Sequence, residues 1–176
     1  MSNLNGAPSS VDGADDFQVF VASRGAHLYR TACLLTGGDT HLAEDLVQET
    51  LGRMYLKWGP RRRIDNPAGY AQTTLVNAFI SMRRRRSAWE RPSEFVDESA
   101  VRDVDVELRV TLLAALRSLA EMDRAVLVLR FWEDRSVDET ARALGLSAGA
   151  VRSRCSRALG RVRDVLGADF IELTES

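Results

Sequence analysis

SVDETARALGLSAGAVRSRCSRALGRVR, residues 136–163, decides the fold of this chain. Ser136 followed three residues later by Glu139 is the pattern of a capping box, in which each side chain satisfies a free backbone N–H of the other residue. The helix opened there turns Val137, Ala141 and Leu144 to one side, Gly145 supplies the left-handed residue that stops it, and Ser147 caps a second helix. The spacing is helix, three-residue turn, helix. On the second helix Val151, Cys155, Ala158, Leu159 and Val162 form an inward face. Arg154, Arg157 and Arg161 share one side of the opposite face, beside the small residues Ser153 and Gly160. Ser147 to Arg163 holds five arginines and no acidic residue, in a chain whose formal net charge is −1. A solvated helix face usually mixes both signs, because like charges one turn apart repel. The arginines taken alone fit a solubilising face or a dock for an acidic segment of the same chain as well as they fit an external anion. The capped turn ahead of them favours nucleic acid: such a helix enters a major groove, where arginine grips phosphates or the acceptor edge of guanine.

Working outward, the remaining signals are helical. Phe17, Val21, Leu28, Ala32 and Leu35 make an amphipathic stripe that stops at Gly37 and Gly38. A second helix runs from about His41 to Trp58. A third starts with Asn66 as N-cap and Pro67 at the first helical position, and reaches the four arginines 83–86. On it Thr73, Asn77, Ser81 and Arg84 line one side while Ala71, Thr74, Ala78 and Met82 face inward. Asparagine offers donor and acceptor to a base edge and arginine neutralises phosphate, so the stripe suits a separated DNA strand. From Glu90 to Glu107 seven acidic residues stand against two arginines, the mark of a linker. Beyond it Leu108, Leu112, Ala115, Leu116 and Leu119 form another stripe, and DRAVLVLRFWED reads as a short buried helix. The fold class is therefore all-α: a disordered tail (1–14), an N-terminal helical bundle (15–89), an acidic linker (90–107) and a C-terminal helix-turn-helix module (108–170).

These residues carry a resemblance. RAVLVLRFWEDRSVDETARALGLSAGAVRSRCSRALGRVR resembles the C-terminal promoter-reading region of extracytoplasmic-function (ECF) sigma factors, and AEDLVQETLGRMYLKW with NPAGYAQTTLVNAFISMRRRR resembles their N-terminal region. The likeness is to the actinobacterial SigE-like group. It implies a bacterial protein that binds RNA polymerase core, through its β and β′ subunits, and directs it to promoters. The front module would then take the −10 element through Thr73, Asn77, Ser81, Arg83, Arg84 and Arg85. The back module would take the −35 element through Ser147, Arg152, Ser153, Arg154, Arg157 and Arg161. On the second helix Asp45, Gln48 and Glu49 project opposite Leu42, Leu46, Val47, Thr50, Met54 and Trp58. By composition they are an ordinary solvated face; by resemblance the patch contacts the clamp helices of β′. The same likeness threads the acidic linker through the polymerase's RNA path and allows a sequestering anti-sigma factor as a further partner. Two positions depart from the pattern: Ser81 stands where an acidic or amide residue is usual, and Ala120 where proline is common.

Composition and motifs exclude other classes. His27, Cys33 and His41 make no zinc spacing, and neither a Gly-rich phosphate loop nor a nucleophile elbow occurs, so no metal, cofactor or catalytic residue is expected. Cys33 and Cys155 read as reduced thiols of a cytoplasmic protein. The N-terminal stretch has no signal-peptide pattern and no apolar run spans a bilayer, so no membrane association is expected. Two competing classes share the helix-turn-helix: a DNA-cutting recombinase, which needs a nucleophilic serine or a carboxylate cluster, and a one-component regulator that binds an operator as a dimer.

Overall fold

The computed structural model describes residues 10–58, 64–88 and 104–167. Seven α-helices follow one another: α1 Ser10–Thr36, α2 Thr40–Tyr55, α3 Pro67–Ala88, α4 Val104–Arg117, α5 Glu121–Leu127, α6 Val137–Leu144 and α7 Ala148–Leu166. A single π-helical turn, Val128–Trp132, continues α5, and among the described residues there is no strand. Arginines 61–63, most of the acidic linker and the C-terminal residues from 168 lie outside the described residues.

Local signals set the helix ends. Asp39 caps α2 by accepting the Leu42 N–H at 3.0 Å, and Asn66 accepts the Gly69 N–H at 2.9 Å at the start of α3. Two helices begin earlier than composition suggested. α1 starts at Ser10, inside the segment read as a disordered tail, and α4 at Val104, inside the stretch read as linker. Both openings are acidic in sequence, and negative charge near a helix N-terminus is favoured by the helix dipole.

The turn inside the helix-turn-helix is conformationally demanding. Gly145 has φ 65° and ψ 38°, in the left-handed region, and Leu146 N–H closes the turn on Ala141 O at 2.9 Å. A Cβ at this position would meet nothing within 4 Å, so a substitution there reports backbone strain alone. Gly145→Val is expected to lower stability by about 1–2 kcal/mol, and Gly145→Asn by distinctly less, because asparagine tolerates the left-handed region. Urea unfolding of both variants checks this. Equal losses would mean that the turn, and not its dihedral, is disturbed.

The packing departs from two separately cored modules. One apolar cluster runs through both halves, joining Leu28, Ala32 and Leu35 of α1 and Leu75 and Phe79 of α3 to Ala125, Val126 and Leu129 of the back half. A smaller cluster of Ala115, Leu116, Leu119, Leu127, Ala158 and Val162 belongs to the back half. α1 is the shared wall, because the stripe that faces α2 and α3 is wide enough at its C-terminal end to meet α5 as well. Gly37, with φ 69°, ends α1 in the left-handed region, and a Cβ there would fall 2.7 Å from Arg124 Nη1, so a side chain at this position would displace the guanidinium as well as strain the backbone.

Candidate nucleic-acid and polymerase interfaces

The helix-turn-helix forms as its sequence dictates. Glu139 N–H donates to Ser136 Oγ at 3.2 Å, Ser136 N–H donates to Glu139 Oε2 at 2.8 Å, and Ala150 N–H donates to Ser147 Oγ at 3.1 Å. Hydrogen bonding to Ser136 holds the Glu139 carboxyl below the usual carboxylate range. Ser147, among the residues expected on DNA, thus has its hydroxyl engaged in capping α7. Val151, Ala158 and Val162 are buried, and Cys155 is half-buried, its thiol pushed up by burial. Arg152, Ser153, Arg157 and Arg161 are exposed along the outer face.

Arg154 does not join them. Its Nη1 lies 2.6 Å from Asp123 Oδ1 on α5, and the two side chains keep 32% and 13% of their exposure. The reason is geometric: at 3.6 residues per turn Arg154 sits at the margin of the buried face, where a long side chain folds back onto the neighbouring helix. The sequence places Arg154, Arg157 and Arg161 on one outward side; in the structure Arg157 and Arg161 are exposed and Arg154 is turned to Asp123.

On α3, Thr73, Asn77, Arg84 and Arg85 are exposed, whereas Ser81 and Arg83 are half-buried. The expected inward residues Ala71, Thr74, Ala78 and Met82 are all buried. Gln72, which the sequence did not single out, turns its amide to the carboxylate of Glu133. Thr73 and Asn77 line a cleft of about 650 Å³ whose far wall is formed by Glu133, Asp134, Glu139 and Arg142 of the back half.

The patch on α2 is only partly free. Asp45 and Gln48 are exposed, but Glu49 pairs with Arg53 at 2.5 Å and lies 3.6 Å from Arg85, so it ties the patch to the arginine run of α3. Exposed pairs of this kind contribute about 0–1 kcal/mol. They orient more than they stabilise.

Three further polar residues that sequence reasoning missed hold the halves together. Arg124 is 6% exposed and donates from Nε to Leu35 O at 2.8 Å and from Nη1 to Leu116 O at 3.3 Å. Arg117 Nε donates to Gly37 O at 2.9 Å. The Glu133 side chain is 2% exposed and touches His27, Thr31 and Gln72. The one available signal was charge amid apolar residues, in RAVLVL and FWED. At Ala120, where proline is common in the resembled pattern, φ is −57°, the value a proline ring imposes.

Among the described residues no group of three or more histidine, cysteine, aspartate or glutamate side chains is placed to hold a metal, and no helix is long and apolar enough to cross a membrane.

Comparison with known proteins gives a consistent result. Residues 20–89 match Sigma-70 region 2 and residues 115–164 match Sigma-70, region 4. The RNA polymerase sigma-E factor of Streptomyces coelicolor is 37% identical over 155 residues, covering 87% of this chain and 87% of that protein. The ECF RNA polymerase sigma factor SigE of Mycolicibacterium smegmatis is 34% identical over 163 residues, covering 85% of this chain and 61% of that protein. Among solved structures, the sigma factor RpoE of Bartonella quintana, crystallised with the anti-sigma factor NepR, superposes with a TM-score of 0.65 at 25% identity, covering 88% of this chain and 98% of that one.

Proposed function

This chain belongs to the sigma-70 family as an ECF sigma factor, an alternative sigma factor directing promoter-specific transcription, and from that premise we propose a division of labour among its surfaces. Region 2, within 15–89, binds polymerase core through Asp45 and Gln48, with Glu49 shared between Arg53 and Arg85, and takes the −10 strand on Thr73, Asn77, Ser81 and Arg83 to Arg85. Region 4, within 108–170, reads the −35 duplex. Arg157, Arg152 and Ser153 reach base edges, Arg161 meets phosphate, and Arg154 fixes the seating of α7 through Asp123. The partners are the β and β′ subunits of core, promoter DNA and, by likeness to the sigma factor crystallised with NepR, a sequestering anti-sigma factor. The work is done in the cytoplasm, without catalysis by this chain. The acidic stretch 90–107 joins the two regions.

One observation supports this reading most. A helix-turn-helix closed by its own caps presents Arg152, Ser153, Arg157 and Arg161 to solvent, and the same chain carries a second polar and arginine-rich stripe on α3. Run-off transcription with purified core, with and without this chain, on genomic promoter fragments tests it. Specific initiation only in its presence is expected, whereas an operator-binding regulator leaves core unable to initiate.

Asp45→Lys gives the cleaner test of the α2 patch, because Asp45 is exposed and Glu49 is already paired. The variant should fold normally and bind core at least about tenfold more weakly, since a like charge set against a complementary surface is strongly disfavoured. Wild-type affinity in a core-binding titration would remove α2 from the interface.

A further inference from the structure

We infer that residues 168–176, which follow α7, fold back along that helix and seat in an arginine-rimmed groove on its flank, shielding part of the face offered to DNA. The seating itself needs no promoter; only its effect on DNA rests on the proposed −35 reading.

The groove is a cavity of about 370 Å³ between α7, the π-turn and the start of α6. Val137, Val151, Cys155 and Leu159 make its floor, and Arg130, Arg152 and Arg163 make its rim. Val151 is buried, but Val137, Cys155 and Leu159 are half-buried, so the floor shows apolar surface. Arg152, Ser156, Leu159 and Arg163 recur at steps of four, three and four and form one stripe of α7. Arg157 and Arg161 lie more than about 100° round the helix from the centre of that stripe, so the groove is a flank of its own. Its rim is uncompensated. Among the described residues no carboxylate lies within ion-pair distance of Arg130, Arg152 or Arg163. Three guanidiniums around one cavity repel one another, and an apolar floor favours a partner that removes it from water. An acidic and apolar peptide answers both.

Residues 168–176, ADFIELTES, have that chemistry. They hold Asp169, Glu172 and Glu175 with no basic residue, interleaved with Phe170, Ile171 and Leu173. Their attachment suits the groove as well. Gly167 N–H bonds Arg163 O at 3.0 Å, and Gly167 takes φ 70° and ψ −169°, a conformation that glycine alone adopts readily, so the chain leaves the helix axis there. Arg163 stands one turn back from that point, and Arg152 about 22 Å back at ~1.5 Å per residue. Nine residues extend to roughly 30 Å, enough to run the length of the stripe. Attachment at Gly167 sets an effective concentration on the order of millimolar, so individually weak contacts suffice. The acidic residues between α3 and α4 are instead tied at both ends.

Arg152 then has two claimants. While it pairs with the segment it is withdrawn from DNA, so the segment lowers −35 affinity until duplex displaces it.

Cys155, on the groove floor, reports the seating. In the full chain its alkylation by a maleimide, read by mass spectrometry, should be slow; deleting residues 168–176 should speed it at least about fivefold, with helix content by circular dichroism unchanged. Asp169→Asn combined with Glu172→Gln and Glu175→Gln should speed it at least about threefold, because the rim loses its counter-charge. A synthetic peptide of residues 168–176 added to the deleted chain should slow it again. Equal rates in the full and deleted chains overturn the inference, as does full-chain protection in the neutralised variant. Protection that grows with protein concentration also overturns it, and assigns the groove to a second copy. Should the deletion lose helix content, the neutralised variant decides. Binding of a −35 duplex should tighten at least about threefold in the deleted chain, and unchanged affinity overturns the shielding. If no duplex binds either chain, the transcriptional reading has failed, and the alkylation rates still judge the seating.

Discussion

Arg124→Ala is expected to lower stability by about 2–4 kcal/mol, measured by urea unfolding. The guanidinium sits where α1 and α4 both end; it satisfies Leu35 O, a carbonyl of the last turn of α1, and adds a second donor to Leu116 O, which also accepts the Leu119 N–H. Burial is the largest influence on it and pushes its pKa below the usual arginine range, so seating it carries a desolvation cost that the two carbonyls and the negative ends of two helix dipoles offset. Truncation removes that compensation and leaves a cavity beside Gly37, whose backbone is shaped around Arg124 Nη1. Arg124→Lys should recover only part of the loss, because an ammonium lacks the planar fork that reaches both carbonyls. A loss below about 0.5 kcal/mol for the alanine variant would mean that water replaces the guanidinium freely, and the docking of the halves would then rest on apolar contact and on the polar contacts of Arg117 and Glu133.

Arg157→Ala is expected to reduce discrimination between matched and scrambled −35 duplexes by about 1–3 kcal/mol, the worth of one bidentate base contact. Arg161→Ala should weaken both duplexes alike and reduce the slope of log affinity against log salt by about one, the behaviour of a phosphate contact. Arg154→Ala should differ from both. Its pair with Asp123 bridges α5 and α7 inside the back half, so its loss should lower stability and weaken all duplexes through a misplaced α7. Binding of the three variants across a salt series separates the roles. Equal weakening of both duplexes by Arg157→Ala and Arg161→Ala would reduce α7 to an electrostatic grip.

Most helix boundaries were legible because their causes are local. A cap reaches three residues ahead and a left-handed glycine acts at its own position, so Asn66, Ser136 with Glu139, Gly145 and Ser147 each produced the predicted terminus. The inward stripes of α2, α3 and α7 followed from the 3.6-residue period, and with them the exposure of Asp45, Gln48, Thr73, Asn77 and Arg157. The two early helix starts, at Ser10 and Val104, were missed because polar, acidic composition was read as absence of structure when acidic residues also favour a helix N-terminus.

What the sequence determined by itself is the all-α class, the helix-turn-helix and the polar outer faces of α2, α3 and α7, since each depends on residues within a turn or two of one another. Tertiary structure alone decided which charged residues leave solvent. Glu133 meets His27 across 106 positions, Arg124 meets Leu35 across 89, and Arg154 meets Asp123 across 31. No periodicity encodes such pairs, because they depend on how whole helices stack and on the register added by one π-turn between Val128 and Trp132. The physical reason is one of range: backbone hydrogen bonds and caps act within a helical turn, whereas the burial of a charge depends on every surface that closes over it.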